Sequence, residues 1–188
     1  MRFPFDAVKA AQATAYLAHL YGGEIALFRA VKLLYLADRS ALIAIGRTIT
    51  GDRLVNMDQG GVPSETYNAL RLEDDEDSLR QPWASYLEPA STAFKFRAAV
   101  ELSELEDLSE YETDLLTTVH RRYGYLKKSD LVGFMHTLEE WQDPHGSSHT
   151  VDPAVILRNA NRPAQDIEDI ATLADEAYFL STLGDDNP

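Results

Sequence analysis

The chain has 188 residues, 45% of them hydrophobic and 26% charged, and no cysteine; that length fits one domain of ordinary globular composition and excludes disulfides, thiol nucleophiles and cysteine-ligated zinc. Acidic side chains outnumber basic ones 31 to 17, a formal net charge of −14. Such a charge opposes binding to nucleic-acid phosphates and to anionic lipid, and it suits a soluble protein that meets a basic partner.

The first helix is expected to start at Asp6, a good N-cap, and to run through an alanine-rich stretch to Tyr21. Asp6, Lys9, Gln12 and His19 interrupt the first twenty residues, so no secretory signal is read there, and no apolar run reaches the ~18 residues of a membrane span. The cytoplasm is the default location. Gly22 and Gly23 stop the first helix. The second is expected from about Glu24 to Ile45, ending at Gly46, and is apolar nearly all round, which marks the buried centre of a helical domain.

Thr50, Gly51 and Asp52 form a turn, Leu54 to Asp58 is a short strand, and Gly60 to Pro63 reads as a sharp loop. Pro63 and Ser64 open a third helix through about Leu72. Glu73 to Asp77 reads as a solvated acidic loop, and Trp83, Tyr86 and Leu87 anchor the segment after it. Alternation at Phe94, Lys95, Phe96 and Arg97 predicts a strand through Leu102. It is expected to pair with Leu54–Asp58, in a direction left open because the third helix could serve as a crossover.

Ser109 with Glu112 is a capping box for a helix to about Tyr123, with Leu116, Val119 and Tyr123 facing inward. Ser129 is expected to cap the next helix, whose Leu131, Phe134, Met135 and Leu138 share a face. Asp152 and Pro153 start another. Pro163 starts the last, with Ile167, Ile170, Ala174 and Tyr178 on one face. The fold class is therefore mainly α: a single compact domain over residues 1–183, with about seven helices and a small two- to three-stranded sheet. Residues 184–188 are expected to form a flexible acidic tail.

Catalytic patterns are sparse. His136, Glu139, Glu140, His145 and His149 form the densest group of potential ligands, but HTLEEW lacks the His-Glu-x-x-His spacing of zinc proteases. His136 follows an apolar stripe and reads as a hydrogen-bonded core histidine, and His145, beside Gly146, Ser147 and Ser148, as solvated. There is no Gly-x-Ser-x-Gly elbow, P-loop or dinucleotide fingerprint. No metal, no cofactor and no enzymatic activity are expected.

One helix carries a local reversal of charge. Arg29, Lys32 and Arg39 share a stripe with Leu36 on the second helix. They either pair with acidic neighbours or face solvent, or they offer a docking stripe to a partner's carboxylates. Asp38 lies beside them on a buried helix and would need a partner such as Arg47 or Arg53.

KLLYLADR (Lys32–Arg39), GRTITGD (Gly46–Asp52), GGVPSETYNAL (Gly60–Leu70), LSEYE (Leu108–Glu112) and HTLEEWQDP (His136–Pro144) occur in that order. Together they resemble the Panacea domain, also called the SocA-like antitoxin domain, over about Phe5 to Asn161. One departure is Gly60-Gly61-Val62-Pro63, where the family has Gly-Pro-Val-Pro; the lost proline leaves the segment less pre-set.

The resemblance implies a bacterial or phage antitoxin that neutralises a toxin encoded beside it by direct protein–protein binding. The toxin's identity does not carry over. The resemblance marks Tyr35, Asp38, Gly51, Gly60, Gly61, His136 and Trp141 as structural motif positions. Arg29, Lys32, Arg39, Met57, Pro63 and Ser64 are expected to contact the partner. No membrane or direct nucleic-acid binding is expected, and a homodimer is left open. The alternatives are an adaptor delivering a bound protein to a protease, a nucleic-acid mimic, and a metal-dependent hydrolase using His136, Glu139 and His145.

Overall fold

Asp6 adopts extended backbone, and its carboxylate accepts the Lys9 N–H at 2.9 Å, starting α1 (Ala7–Leu20). Ala10, Ala11, Ala13, Ala15 and Ala18 are buried in α1, and such small side chains let neighbouring elements approach closely. The computed structural model describes residues 1–71, 79–90 and 94–183. The expected acidic loop at Glu73–Asp77 and the tail at Gly184–Pro188 lie outside them.

The second helix begins later than its apolar pattern suggests. Glu24–Ala26 forms strand β1, and α2 spans Leu27–Ile45, ending at Gly46 with φ of 73°. The cause is non-local. Ile25 stands opposite Phe96 across an antiparallel pair, and each is 1% exposed. α2 is the core helix, with Leu33, Leu34, Tyr35 and Ala37 buried.

β2 (Leu54–Met57) and β3 (Gly60–Pro63) form an antiparallel hairpin across Asp58 and Gln59, and β6 (His149–Thr150) pairs with the other edge of β2. The Gly60–Pro63 segment is thus a strand, not the sharp loop its glycines and proline suggest. Val62 pairs with Val55, and Pro63 closes the register opposite Leu54. α3 (Ser64–Leu70) follows at once.

α4 (Trp83–Tyr86) leads into β4 (Leu87–Pro89), which pairs with β5 (Lys95–Ala98). The sheet order is β1-β5-β4, so β5 never meets β2 and the expected pairing of these two strands is wrong. β5 packs against α1 and β3 packs against α2; alternation identifies a strand but not its partner. β5 ends at Ala98, and Leu102–Glu104 is a 3₁₀ turn rather than strand.

The Ser109–Glu112 capping box starts α5 (Glu110–Tyr123), with Leu116 and Val119 buried. α6 (Lys128–His136) starts from Lys127, not from Ser129. Lys127 supplies the extended backbone and the carbonyl that receives Leu131 N–H, while the Ser129 hydroxyl meets its neighbour Asp130 at 3.1 Å. Asp152 caps α7 (Pro153–Asn159), and α8 (Ala164–Leu183) closes the described chain.

The described residues therefore hold eight α-helices and two three-stranded antiparallel sheets around one apolar core. The protein is mainly α, with one sheet and one short helix more than its sequence pattern indicates. No described helix is long and apolar enough to cross a membrane.

Candidate functional site

The face of α2 that carries Lys32, Tyr35 and Arg39 turns toward the β2–β3 hairpin. Lys32 is 2% exposed, and its ammonium donates to the Gly60 carbonyl at 2.7 Å and the Gly61 carbonyl at 3.0 Å. Burial, with Lys128 nearby, pulls its pKa from the usual lysine range down to about 7. Gly60 has a φ of 94°, and a Cβ there would lie 2.5 Å from Met135 Cβ. At Gly61 a Cβ would run into the Tyr35 ring. Both glycines are therefore needed for β3 to lie this close to α2 and α6.

One turn beyond Tyr35 on α2, Arg39 reaches Glu140 twice, Nε to Oε1 at 2.5 Å and Nη2 to Oε2 at 3.3 Å. The Glu140 side chain is 0% exposed and that of Arg39 is 21% exposed, so this is a bidentate, largely desolvated pair. The Tyr35 hydroxyl donates to Glu140 Oε1 at 3.4 Å, and Asn56 Nδ2 donates to the Glu140 carbonyl at 2.9 Å. Burial and the neighbouring Glu140 carboxylate push the Tyr35 hydroxyl pKa up.

The hairpin tip is held from outside as well. His136 and Trp141 stack with ring centres 3.9 Å apart. His136 Nε2 meets the Asp58 carbonyl at 2.9 Å, and Trp141 Nε1 donates to the Met57 carbonyl at 3.3 Å. His136 is thus hydrogen-bonded but only half-buried, not the core histidine its position after an apolar stripe suggests. Its apolar contact is the Trp141 face.

The Gly51-Asp52 turn works through carboxylates. Asp38 is fully buried, and its carboxylate accepts the N–H groups of Ile49 at 2.8 Å and Thr50 at 3.0 Å, and the Thr50 hydroxyl at 2.5 Å. These donors meet it in place of the expected arginine. Backbone and hydroxyl donors satisfy a buried carboxylate without a second desolvated charge. Burial still raises its pKa to about 7. Asp52 accepts from Glu65 N–H at 2.9 Å, Thr66 N–H at 2.8 Å and the Thr66 hydroxyl at 2.7 Å, so it supplies from a distance the side-chain cap that Pro63 cannot give α3. Gly51, with φ of 69°, has no room for a Cβ against the Pro4 carbonyl.

Of the six residues expected to face a partner, Lys32, Pro63 and Ser64 are buried. Arg29, Arg39 and Met57 are half-buried. Arg29 donates to the Leu126 carbonyl at 2.5 Å, and Arg53 reaches the Ser64 hydroxyl at 3.0 Å. The stripe on α2 is thus committed largely to the protein's own hairpin and to Glu140. His145 is exposed, beside Asp143 at 3.5 Å. Among the described residues, no three His, Asp or Glu side chains are placed to hold a metal.

Sequence reasoning did not find Asn56, Glu140 and Asp52 as the partners that organise the site. Glu140 stood inside the HTLEEW segment with only its potential as a ligand in view. Arg39 lies on the other side of the fold pattern, with no short spacing to connect them. For Asp52, the signal was a carboxylate placed one hairpin before the proline-led start of a helix.

The family model described as antitoxin SocA-like, Panacea domain, matches residues 31–142. That segment runs from just before Lys32, within α2, to just past Trp141, and contains Lys32, Tyr35, Arg39, the hairpin and Glu140. No curated protein and no solved structure matches the chain.

Proposed function

The chain belongs to the antitoxin SocA-like, Panacea-domain family, and from that premise we propose that it neutralises a toxin encoded beside it by binding the toxin directly. The family match from residue 31 through the hairpin to Glu140 carries this reading. Membership supports a role in a toxin–antitoxin system, with a toxin as partner. Direct capture in the cytoplasm, by binding rather than catalysis, is the finer reading.

Two physical features support capture. The net charge of −14 gives long-range attraction to a basic protein and speeds encounter with it. The assembly is stiff: the hairpin is tied to α2 by Lys32 and to the Trp141 segment by two side-chain bonds. A rigid surface loses little conformational entropy on binding. In this reading Arg29 and Arg39 of the stripe and Met57 of the hairpin are the expected contacts with surface to offer, while Lys32, Pro63 and Ser64 position the hairpin.

The test is expression of the adjacent reading frame's product with and without this protein. Growth arrest relieved only by co-expression, with a stable purified complex, is the expected result. A harmless neighbour that forms no complex would remove the reading. Relief without a complex, accompanied by rapid loss of the toxin, would replace direct capture with delivery to a protease.

A further inference from the structure

α8 carries a wider apolar arc than the body of the protein covers. Ile167 and Ile170 pack on the core, Ala174 is buried and Tyr178 is half-buried. Beside that covered strip, Leu173, Ala177 and Leu180 follow at i, i+4 and i+7 and are all exposed, the two leucines at 66% each. Phe179 and Leu183 are exposed too, so no residue after Tyr178 in α8 is covered by the described fold. Ile170, Leu173 and Ala177 line one side of a groove of about 990 Å³, and Phe3, Phe5 and Ile45 line it as well. Leu173 and Ala177 belong to both the groove and the exposed stripe of α8, and exposed apolar side chains gathered in this way mark an interaction surface where scattered single ones do not.

The charge around this surface is one-sided on α8. The helix carries Asp166, Glu168, Asp169, Asp175 and Glu176 and no lysine or arginine. Asp169 and Glu176 lie four residues before and three after Leu173, at the border of the exposed apolar stripe. Among the described residues lining the groove, the cations are Arg47, just past the end of α2, and Lys9, which is paired with Glu112. A second copy of this chain would bring two acidic helices together, which like-charge repulsion disfavours.

We infer that the groove and the free end of α8 dock an amphipathic, basic segment of the toxin, with large apolar side chains at helical spacing flanked by Lys or Arg. This rests on the antitoxin reading and adds a contact surface apart from Arg29, Arg39 and Met57, outside the 31–142 family match on the α8 and Phe3–Phe5 sides. Apolar side chains would fill the Leu173–Phe5 groove, and the flanking cations would meet Asp169 and Glu176.

The test uses the full chain and two variants, Leu173→Asp/Leu180→Asp and Asp169→Lys/Glu176→Lys. All four positions are exposed, so both variants are expected to melt with the wild type. Binding is measured to the adjacent reading frame's product, and to two synthetic helical peptides of equal leucine pattern, one with lysine and one with glutamate at the polar positions. The expected result is at least about tenfold weaker toxin binding by both variants, and binding of the Leu/Lys peptide but not the Leu/Glu peptide by the wild type. Wild-type affinity in either folded variant would overturn the assignment while leaving the antitoxin reading intact. A wild-type dimer in sedimentation that Leu173→Asp/Leu180→Asp converts to a monomer would make a second copy the occupant and overturn it as well. If the wild type relieves no toxicity, the antitoxin reading falls, and the peptide arm still decides the chemistry of the groove.

Discussion

Gly61→Ala tests how tightly the hairpin is packed onto α2. A Cβ at Gly61 would sit 2.5 Å from Tyr35 Cζ and 2.8 Å from Cδ2, and closer still to Cε2. Carbon atoms in contact prefer ~3.5–4.0 Å, so ring and strand must part by roughly 1 Å. Tyr35 has little freedom to retreat: it is 1% exposed, and its hydroxyl is tied to Glu140. Strand β3 is equally held, because Lys32 bonds the carbonyls of Gly60 and Gly61. Overpacking of this kind costs ~1–3 kcal/mol, and the rigidity on both sides places this case near ~3 kcal/mol. For a chain of this length that corresponds to a melting point lower by roughly 6–12 °C. Urea unfolding followed by circular dichroism gives the free energy, and a double-mutant cycle isolates the clash. Tyr35→Leu removes the ring, so the double variant should be less destabilised than the sum of the two single variants by at least ~1 kcal/mol. A Gly61→Ala protein that melts within ~2 °C of wild type, or a cycle that is additive within ~0.5 kcal/mol, would refute the close-packing account.

Three further outcomes are expected. Arg39→Met should destabilise more than Glu140→Gln, because it leaves a carboxylate with no exposure unpaired, whereas the guanidinium is 21% exposed; the costs are ~3–5 and ~2 kcal/mol, and chemical denaturation reads their order. Asp38 holds its proton more tightly when folded, with its pKa raised from 3.8 to about 7 by burial. That contribution to stability is fully present below pH 3.8 and is lost as the pH rises through about 7. Asp38→Asn should therefore lose part of the decline in stability measured across that window, and an unchanged slope would contradict the account. Asp52→Ala removes the acceptor of two α3 N–H groups and the Thr66 hydroxyl, and should cost ~1–2 kcal/mol, seen as earlier amide exchange in α3 than in α2.

What the sequence revealed depended on how local the cause was. Asp6, the Ser109–Glu112 box and Asp152 announce helix starts because cap and capped N–H lie within three residues. Gly46 likewise ends α2 where expected. The larger errors have causes away from the segment itself. Glu24–Ala26 is strand because Phe96 lies opposite Ile25, seventy-odd residues away. Gly60–Pro63 is strand because Tyr35 and Lys32 receive it at glycine-only distance. Asp38 needs no arginine because a loop eleven residues on folds its N–H groups over the carboxylate. At the site, ordered motifs located α2, the hairpin and the Trp141 segment, but not that Arg39 and Glu140 are partners. A charge pair across one hundred and one positions leaves no periodic trace.

The Arg39–Glu140 bond also sets a timetable for synthesis. A ribosome delivers Tyr35, Arg39 and Asn56 long before it delivers residue 140, and all three place a donor on that one glutamate. Until then the native acceptor of these three donors is missing, and Trp141 and His136 are not yet present to grip the hairpin's tip. A nascent chain stopped anywhere before Glu140 thus carries the parts of the α2–hairpin assembly without the residue that neutralises its interior. The native interior of the α2–hairpin assembly therefore cannot close until Glu140 has been added, 84 residues after Asn56.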